Sequence, residues 1–385
     1  MSVTAAKGFV AAGVTAGIKA SGKPDLALVV NSGPDAHAAG VFTTNKFTAA
    51  PVKWTKAAVA DGRLAAVVLN SGGANACTGD AGYADARQTA EWVGAEVGCP
   101  ATDVAVCSTG LIGQRLPMDA VLTGIELSAQ DLSTAGGASA AAAIMTTDTV
   151  PKEAIHTSPN GWTIGGMAKG AGMLAPALAT MLVVITTDAK LDPASMPAAL
   201  ATATGFTFDR TDSDGCMSTN DTVLLLSSGA SGVVADPAEF AEALTGVCAD
   251  LARQLLSDAE GSAHDIEVRV DGAASEADAL AVARAIARSN LFKCAVFGND
   301  PNWGRVLASA GTVDVPYDPE HVDVAFNGVA VFVDGQLGAD RSEVDLSSGR
   351  DVRVEVNLRA GQASAAIWTN DLTYDYVKEN AEYST

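Results

Sequence analysis

Short runs of β-branched and apolar residues alternate along this chain with stretches whose apolar positions recur every three to four residues. Runs at 26–30, 65–69 and 104–106 predict strands, and the periodic stretches at 84–97 and 117–129 predict helices. In the second half, strands are expected at 222–226, 266–270, 322–333 and 352–358, and helices at 237–256 and 276–288. Asn327-Gly328 interrupts the 322–333 run with the two residues that best tolerate a tight hairpin turn. Ile266, Val268 and Val270 alternate with Glu267 and Arg269, the signature of a strand with one face buried. The expected fold class is therefore α/β (α+β): partly antiparallel β-sheets packed together and covered by helices. No repeat or low-complexity linker marks a domain boundary, so 385 residues fit either one large domain or two closely packed ones.

Composition narrows the choice of function. Hydrophobic residues make up 48% of the chain and aromatics only 5%, which favours small side chains and close backbone approach. With 45 acidic against 24 basic residues the net charge is −21, a balance that repels nucleic acid and anionic lipid. No apolar run, 181–185 included, approaches the ~20 residues of a membrane helix. The amino-terminal residues lack the charged and apolar regions of a secretory signal. Cys77, Cys99, Cys107, Cys216, Cys248 and Cys294 show no CxxC spacing, as expected of reduced thiols in a cytoplasmic protein.

One segment breaks the alternation. Residues 160–182 read NGWTIGGMAKGAGMLAPALATML, with five glycines and then Pro176, a composition expected neither to hold a helix nor to fill a central strand comfortably. It runs into a buried-strand pattern that begins at Thr180. The glycines fit a tight surface loop with Thr180 as a mere β-former. On spacing alone that reading leads; the other is an open turn that delivers a threonine hydroxyl to the start of a rigid strand, where a nucleophile is well positioned. A phosphate loop would need the ordered glycine, lysine and hydroxyl residues that are missing here. A metal site fares no better, because His37, His156, His264 and His321 are scattered without ligand spacing.

The string KGAGMLAPALATML at 169–182 resembles the cleavage motif of the ornithine acetyltransferases, also called bifunctional glutamate N-acetyltransferases of arginine biosynthesis. Similar family segments follow in order: FTTNKFTAAPV from Phe42, NSGGANACTG from Asn70, STGLIGQRLP from Ser108, IMTTDT from Ile144, STNDTVLLL from Ser218, GNDPNWGRVLA from Gly298 and DLTYDYVKENAEYST at the end. The resemblance spans essentially the whole chain, with small departures such as Ala177 and Gly73.

The resemblance implies self-cleavage between Ala179 and Thr180 into an alpha chain, 1–179, and a beta chain, 180–385, which stay together as one intertwined unit and assemble as an alpha2beta2 heterotetramer. The fold type is the one shared with the self-cleaving aminopeptidases typified by DmpA. Thr180 then becomes an amino-terminal nucleophile. Such a threonine uses its own α-amine as general base, and an α-amine with pKa ~7.7–8.0 is partly free base near neutrality. The resemblance assigns Thr109 and Gly110 as oxyanion donors. It assigns Thr146, Lys169, Glu260, Asn380 and Thr385, with Thr180, to substrate binding: Lys169 to an α-carboxylate, Thr146 to the acyl amide, and Glu260 to the side-chain ammonium of ornithine. Read without it, Lys169 would be a solvated loop lysine, Thr146 part of a helix C-terminal turn, 108–110 a strand-end turn and the polar tail disordered. The implied reaction is ping-pong transfer of acetyl from N2-acetylornithine to glutamate without cofactor or metal, acetyl-CoA being an alternative donor. A hydrolase with the same nucleophile and a non-catalytic metabolite-binding protein are the other readings.

Overall fold

Which layer a strand packs against follows from the alternation of its side chains, and in this protein the strands at 66–73, 163–169, 182–187 and 222–227 are buried on both sides while others keep one face partly exposed. The computed structural model describes residues 2–175 and 181–382. These fall into two units, the first made of 2–171, 181–209 and 217–255, the second of 172–175, 210–216 and 256–382.

The first unit contains, in order, β1 (Phe9–Val14), β2 (Leu26–Asn31), β3 (His37–Phe42), α1 (Ala50–Ala58), β4 (Ala66–Gly73), α2 (Gly79–Val97), β5 (Val104–Leu111), α3 (Met118–Gln130), α4 (Gly137–Ala143), β6 (Lys152–Thr157), β7 (Thr163–Lys169), β8 (Leu182–Thr187), α5 (Met196–Phe206), β9 (Thr222–Ser227) and all but the end of α6 (Pro237–Ser257). One sheet has the order β1-β2-β4-β5 and the other β3-β9-β8-β7-β6. Most neighbours are antiparallel, but β4 with β5 and β8 with β9 run parallel. On the four-stranded sheet, Leu26, Leu28, Val68 and Val106 share a core with Ala86, Ala90 and Val93 of α2 and Ile125 of α3. The opposite side, Ala27, Val29, Val67 and Ala105, joins Met167, Leu182, Val184 and Leu224 of the other sheet. The alanines of this inter-sheet core let the two sheets approach closely.

The second unit carries β10 (Asp265–Ala273), α7 (Glu276–Ala287), α8 (Asn290–Phe297), α9 (Trp303–Ala310), β11 (Asp323–Phe326), β12 (Val329–Val333), β13 (Gln336–Leu337), β14 (Asp351–Asn357), β15 (Ala363–Asn370) and α10 (Tyr374–Glu382). Its sheet has the order β13-β12-β11-β14-β10-β15. The inward set Ile266, Val268 and Val270 packs with Val282 and Ile286 of α7 and Phe292 of α8, while Glu267 and Arg269 stay partly exposed. Asn327 and Gly328 turn between β11 and β12 with φ of 47° and 84°, the hairpin that their sequence predicts.

Two expectations need correction. The 160–182 stretch does supply an interior strand, since β7 lies between β6 and β8. Its glycines are tolerated because other chain segments occupy the space of their side chains. A Cβ on Gly165 would come within 2.2 Å of the Ser2 carbonyl oxygen, and one on Gly166 within 3.0 Å of Leu251 of α6. The Ser2 hydroxyl also donates to the Gly166 carbonyl at 3.2 Å. Second, the strand expected from Thr180 begins at Leu182; Ala179 and Thr180 lie outside the described residues. The expected chains do not coincide with the two units, because one sheet draws β3, β6 and β7 from before residue 179 and β8 and β9 from after it.

Candidate active site

In the first unit the expected oxyanion residues lie within a strand and not on a turn. β5 runs on through Ser108, Thr109 and Gly110, paired in parallel with the glycine-rich end of β4, where Gly72 stands opposite Gly110. Gly110 has φ of 126°, and a Cβ there would come within 2.5 Å of the Gly72 carbonyl carbon. Only glycine permits that approach. Thr109 is 2% exposed. Its neighbour Cys107 is no rival nucleophile, because burial pushes its thiol up to about 12.

Lys169 closes β7 and is 1% exposed, which replaces the solvated loop lysine by a buried cation. Its Nζ donates to Thr109 Oγ1 at 3.2 Å. A hydroxyl that accepts this bond keeps its own hydrogen for donation elsewhere, and the adjacent positive charge strengthens that donor.

Buried cations need anions, and the structure supplies one that the sequence did not single out. Asp148 Oδ1 accepts from Lys152 Nζ and from the Gly170 backbone N–H, each at 2.6 Å. Its Oδ2 accepts from the Thr146 N–H at 2.8 Å and the Thr146 hydroxyl at 3.4 Å. Burial by itself pushes the Asp148 carboxyl up. The ammoniums of Lys169 and Lys152 and the bonds from Lys152 and Thr146 outweigh it, holding the group at about 2. Thr146, just beyond α4, is thus fixed to the same carboxylate that faces Lys169. Lys19 completes the cluster, its Nζ donating to the carbonyls of Met145 at 2.6 Å and Pro24 at 3.0 Å, and burial lowers its affinity for a proton. The only sequence signal for Asp148 was its place inside the IMTTDT string.

Two further residues of the first unit emerge from the STNDT string. Asn220 Nδ2 donates to the carbonyls of Ala74 at 2.6 Å and Ser108 at 2.8 Å. Asp221 Oδ1 accepts from the Met181 backbone N–H at 3.0 Å. Asp221 is fully buried, and burial pushes its carboxyl well above the usual carboxylate range.

In the second unit, the polar tail is the helix α10 as far as Glu382, in place of the disorder its composition suggests; Thr385 lies outside the described residues. Asn380 Nδ2 donates to Glu260 Oε2 at 3.1 Å, so these two expected substrate residues are brought together. Gly172 leaves room for them, since a Cβ there would come within 2.7 Å of both Glu260 carboxylate oxygens. Glu260 borders a cavity of about 130 Å³ shared with Asp214, Lys293, Asp371 and Tyr376. Burial lowers the Lys293 pKa against the pull of the neighbouring acids, and its Nζ donates to the Ser213 carbonyl. His264 Nδ1 lies 2.7 Å from Asp371 Oδ2. Among the described residues no group of three or more His, Cys, Asp or Glu is placed to hold a metal ion.

A sequence model of the ArgJ family matches residues 10–385. The chain belongs to the ArgJ family. It is 60% identical over 385 residues to the arginine biosynthesis bifunctional protein ArgJ of Streptomyces coelicolor, and 59% identical to that of Thermobifida fusca, with the whole of each chain covered in both cases. Among solved structures it is similar to an ornithine acetyltransferase from Mycobacterium tuberculosis, complexed with ornithine: 57% identity, 47% of this chain and 96% of that chain covered, TM-score 0.45. The segments expected to carry the chemistry of an ArgJ protein, from Phe42 onward, all lie within the matched range.

Proposed function

We propose that this ArgJ-family chain is an acyltransferase of arginine biosynthesis that moves the acetyl group of N2-acetylornithine to glutamate, with Thr180 as its nucleophile. Full-length identity of 60% to a protein named for arginine biosynthesis favours transfer over the hydrolase reading. The observation that carries the chemistry is the buried bond from Lys169 to Thr109, which leaves a polarised hydroxyl able to donate to an oxyanion, with the Gly110 N–H as the second proposed donor.

Maturation begins when the Thr180 hydroxyl adds to the Ala179 carbonyl carbon. The Ala179–Thr180 C–N bond breaks, the nitrogen takes the hydroxyl proton, and water hydrolyses the resulting ester to leave a carboxylate on Ala179 and a free hydroxyl and amine on Thr180. In transfer, the new α-amine accepts the hydroxyl proton as Oγ bonds to the acetyl carbon of acetylornithine. Ornithine leaves with that proton and the acetyl group remains as an ester. The amine of glutamate attacks its carbonyl carbon, the ester C–O bond breaks, and the proton lost by the amine passes through the α-amine to the Thr180 oxygen, which regenerates the hydroxyl. Thr109 and Gly110 donate to the oxyanion of each tetrahedral intermediate. Lys169 and Thr146 serve the α-carboxylate and acyl amide, and Glu260 with Asn380 and Thr385 serves the far end of the substrate. No cofactor enters these steps. Acetyl-CoA acts as a second acetyl donor to the same threonine, which the word bifunctional in the relatives' names supports.

The fragments 1–179 and 180–385 stay associated, supported by the β7–β8 and β3–β9 ladders that join strands on either side of the cut, and pair into an alpha2beta2 heterotetramer. Action in the cytoplasm agrees with the absence, among the described residues, of a helix long and apolar enough to cross a membrane.

The test is an acetylornithine plus glutamate assay, with and without acetyl-CoA, on protein of measured intact mass. Two fragments, the second beginning Thr180-Met181-Leu182, and acetylglutamate formed without acetyl-CoA are expected. Thr180→Ala should remain a single 38.8 kDa chain without activity, and Thr180→Ser should cut and turn over. Normal maturation of Thr180→Ala removes the nucleophile assignment.

A further inference from the structure

Strand β5, which carries the proposed oxyanion donors, and strand β8, which begins two residues after Thr180 in the sequence, belong to different sheets of the first unit and have no ladder between them among the described residues. Something other than sheet pairing must set their separation, because a donor that is misplaced by an ångström loses much of its effect on an oxyanion. The two residues just before β9 meet that need. Asn220 reaches one way: its side-chain amide donates to the Ser108 carbonyl, one residue before Thr109, and to the Ala74 carbonyl beyond the end of β4. Thr219 in turn donates to Asn220 Oδ1 at 2.6 Å, which fixes the orientation of the amide. Asp221 reaches the other way, to the backbone N–H of Met181.

The register explains why Asp221 is placed to do this. β8 and β9 pair in parallel with Leu182 opposite Thr222, and the Thr222 N–H donates to the Met181 carbonyl at 3.1 Å. The Met181 N–H belongs to the peptide that follows Thr180, and the Asp221 carboxylate extends the sheet pairing to it by a side chain. The Met181 nitrogen forms the peptide bond to Thr180, a bond that the proposed cut on the other side of Thr180 leaves intact.

A structural hydrogen bond of this kind needs only an acceptor, whereas a fully buried aspartate carries a large desolvation cost. Burial accordingly pushes its carboxyl up, with Lys169 and the hydroxyls of Ser218 and Thr43 nearby opposing the shift. Its Oδ2 has no hydrogen-bond partner at bonding distance among the described residues. We infer that Asn220 and Asp221 are positioning residues that hold the oxyanion strand β5 and the start of β8, which follows Thr180 in sequence, in the register the chemistry needs, acting through Ser108 and Met181. This rests on the proposed roles of Thr180, Thr109 and Gly110.

The experiment compares Asp221→Leu, which keeps volume and removes the acceptor, with Asp221→Asn, which keeps an acceptor, alongside Asn220→Ala and the unaltered protein. Fragment formation is followed by intact mass in the full chain, and kcat and KM for acetylornithine are measured on the cut material. Asp221→Leu is expected to slow cutting at least tenfold and to lower kcat at near-constant KM, and Asp221→Asn to recover most of both. Asn220→Ala should lower kcat at near-constant KM. Chemical denaturation identifies any variant whose loss comes from unfolding, and for such a variant the comparison rests on Asp221→Asn. Cutting and turnover unchanged in a folded Asp221→Leu, a loss confined to KM, or Asp221→Asn no better than Asp221→Leu would each overturn the inference. If the unaltered protein does not cut at all, the nucleophile assignment itself fails, a result separate from these.

Discussion

The two regions that hold the expected site residues are built on opposite principles. In the first unit, Thr109, Lys169, Asp148 and Lys152 are buried, and the charges are joined in short contacts within a sheet framework. In the second unit, Glu260 is half-buried and Asn380, on a terminal helix, is exposed. A group aimed at a transition state benefits from a low-dielectric, pre-arranged setting, where a donor costs no reorganisation at the moment of reaction. A group that meets the distal end of successive substrates must let ligands enter and leave. The contrast separates turnover from recognition, and each half makes its own prediction.

The largest effect on turnover is expected from Thr109→Ala, which removes a proposed oxyanion donor. It should lower kcat about 10²- to 10³-fold with little change in KM for acetylornithine. A raised KM at constant kcat would move Thr109 to the recognition side.

Next comes Asp148→Asn, whose loss should appear in stability. It strips the anion from between two buried ammoniums, a change that typically costs about 3–5 kcal/mol. The acid limb adds a signature. The Asp148 carboxyl is held at about 2 against an ordinary 3.8, so the stability it contributes is present above about pH 4 and is lost as pH falls toward 2. Denaturation followed against pH should show this steepening in the unaltered protein and its reduction in the variant. Equal slopes in the two proteins would count against the charge argument.

On the recognition side, Glu260→Gln should weaken acetylornithine by ~1.5–3 kcal/mol, the scale of a hydrogen bond to a charged group, and affect glutamate less. The reason is chemical: ornithine ends in an ammonium and glutamate in a carboxylate, and one anion cannot favour both. Equal losses in kcat/KM for both substrates would remove Glu260 from the ammonium role. The smallest effect belongs to Asn380→Ala, which loses one exposed bond to Glu260 and should raise KM about two- to tenfold without touching kcat. A fall in kcat instead would erase the distinction between the two regions.

The fold class, the long helices α2, α3, α6 and α7 and the turn at Asn327-Gly328 were all legible in the amino-acid pattern, because long periodic patterns and strained turns are local properties of a chain. Its ordered motifs also carried the family resemblance, and with it every residue expected to do chemistry. Other features could be decided only by tertiary structure. Gly165 and Gly166 make an interior strand because Ser2 and Leu251 fill the space above them, a fit that no window around the glycines records. Lys169 is buried rather than solvated because Asp148 and Thr109 come to it from distant positions in the chain. Asn220 and Asp221 gain their roles from Ser108 and Met181, 112 and 40 residues away. Local pattern sets which elements form. Long-range packing sets which polar groups become buried together, and the energetics of buried charge make that placement decisive for the site.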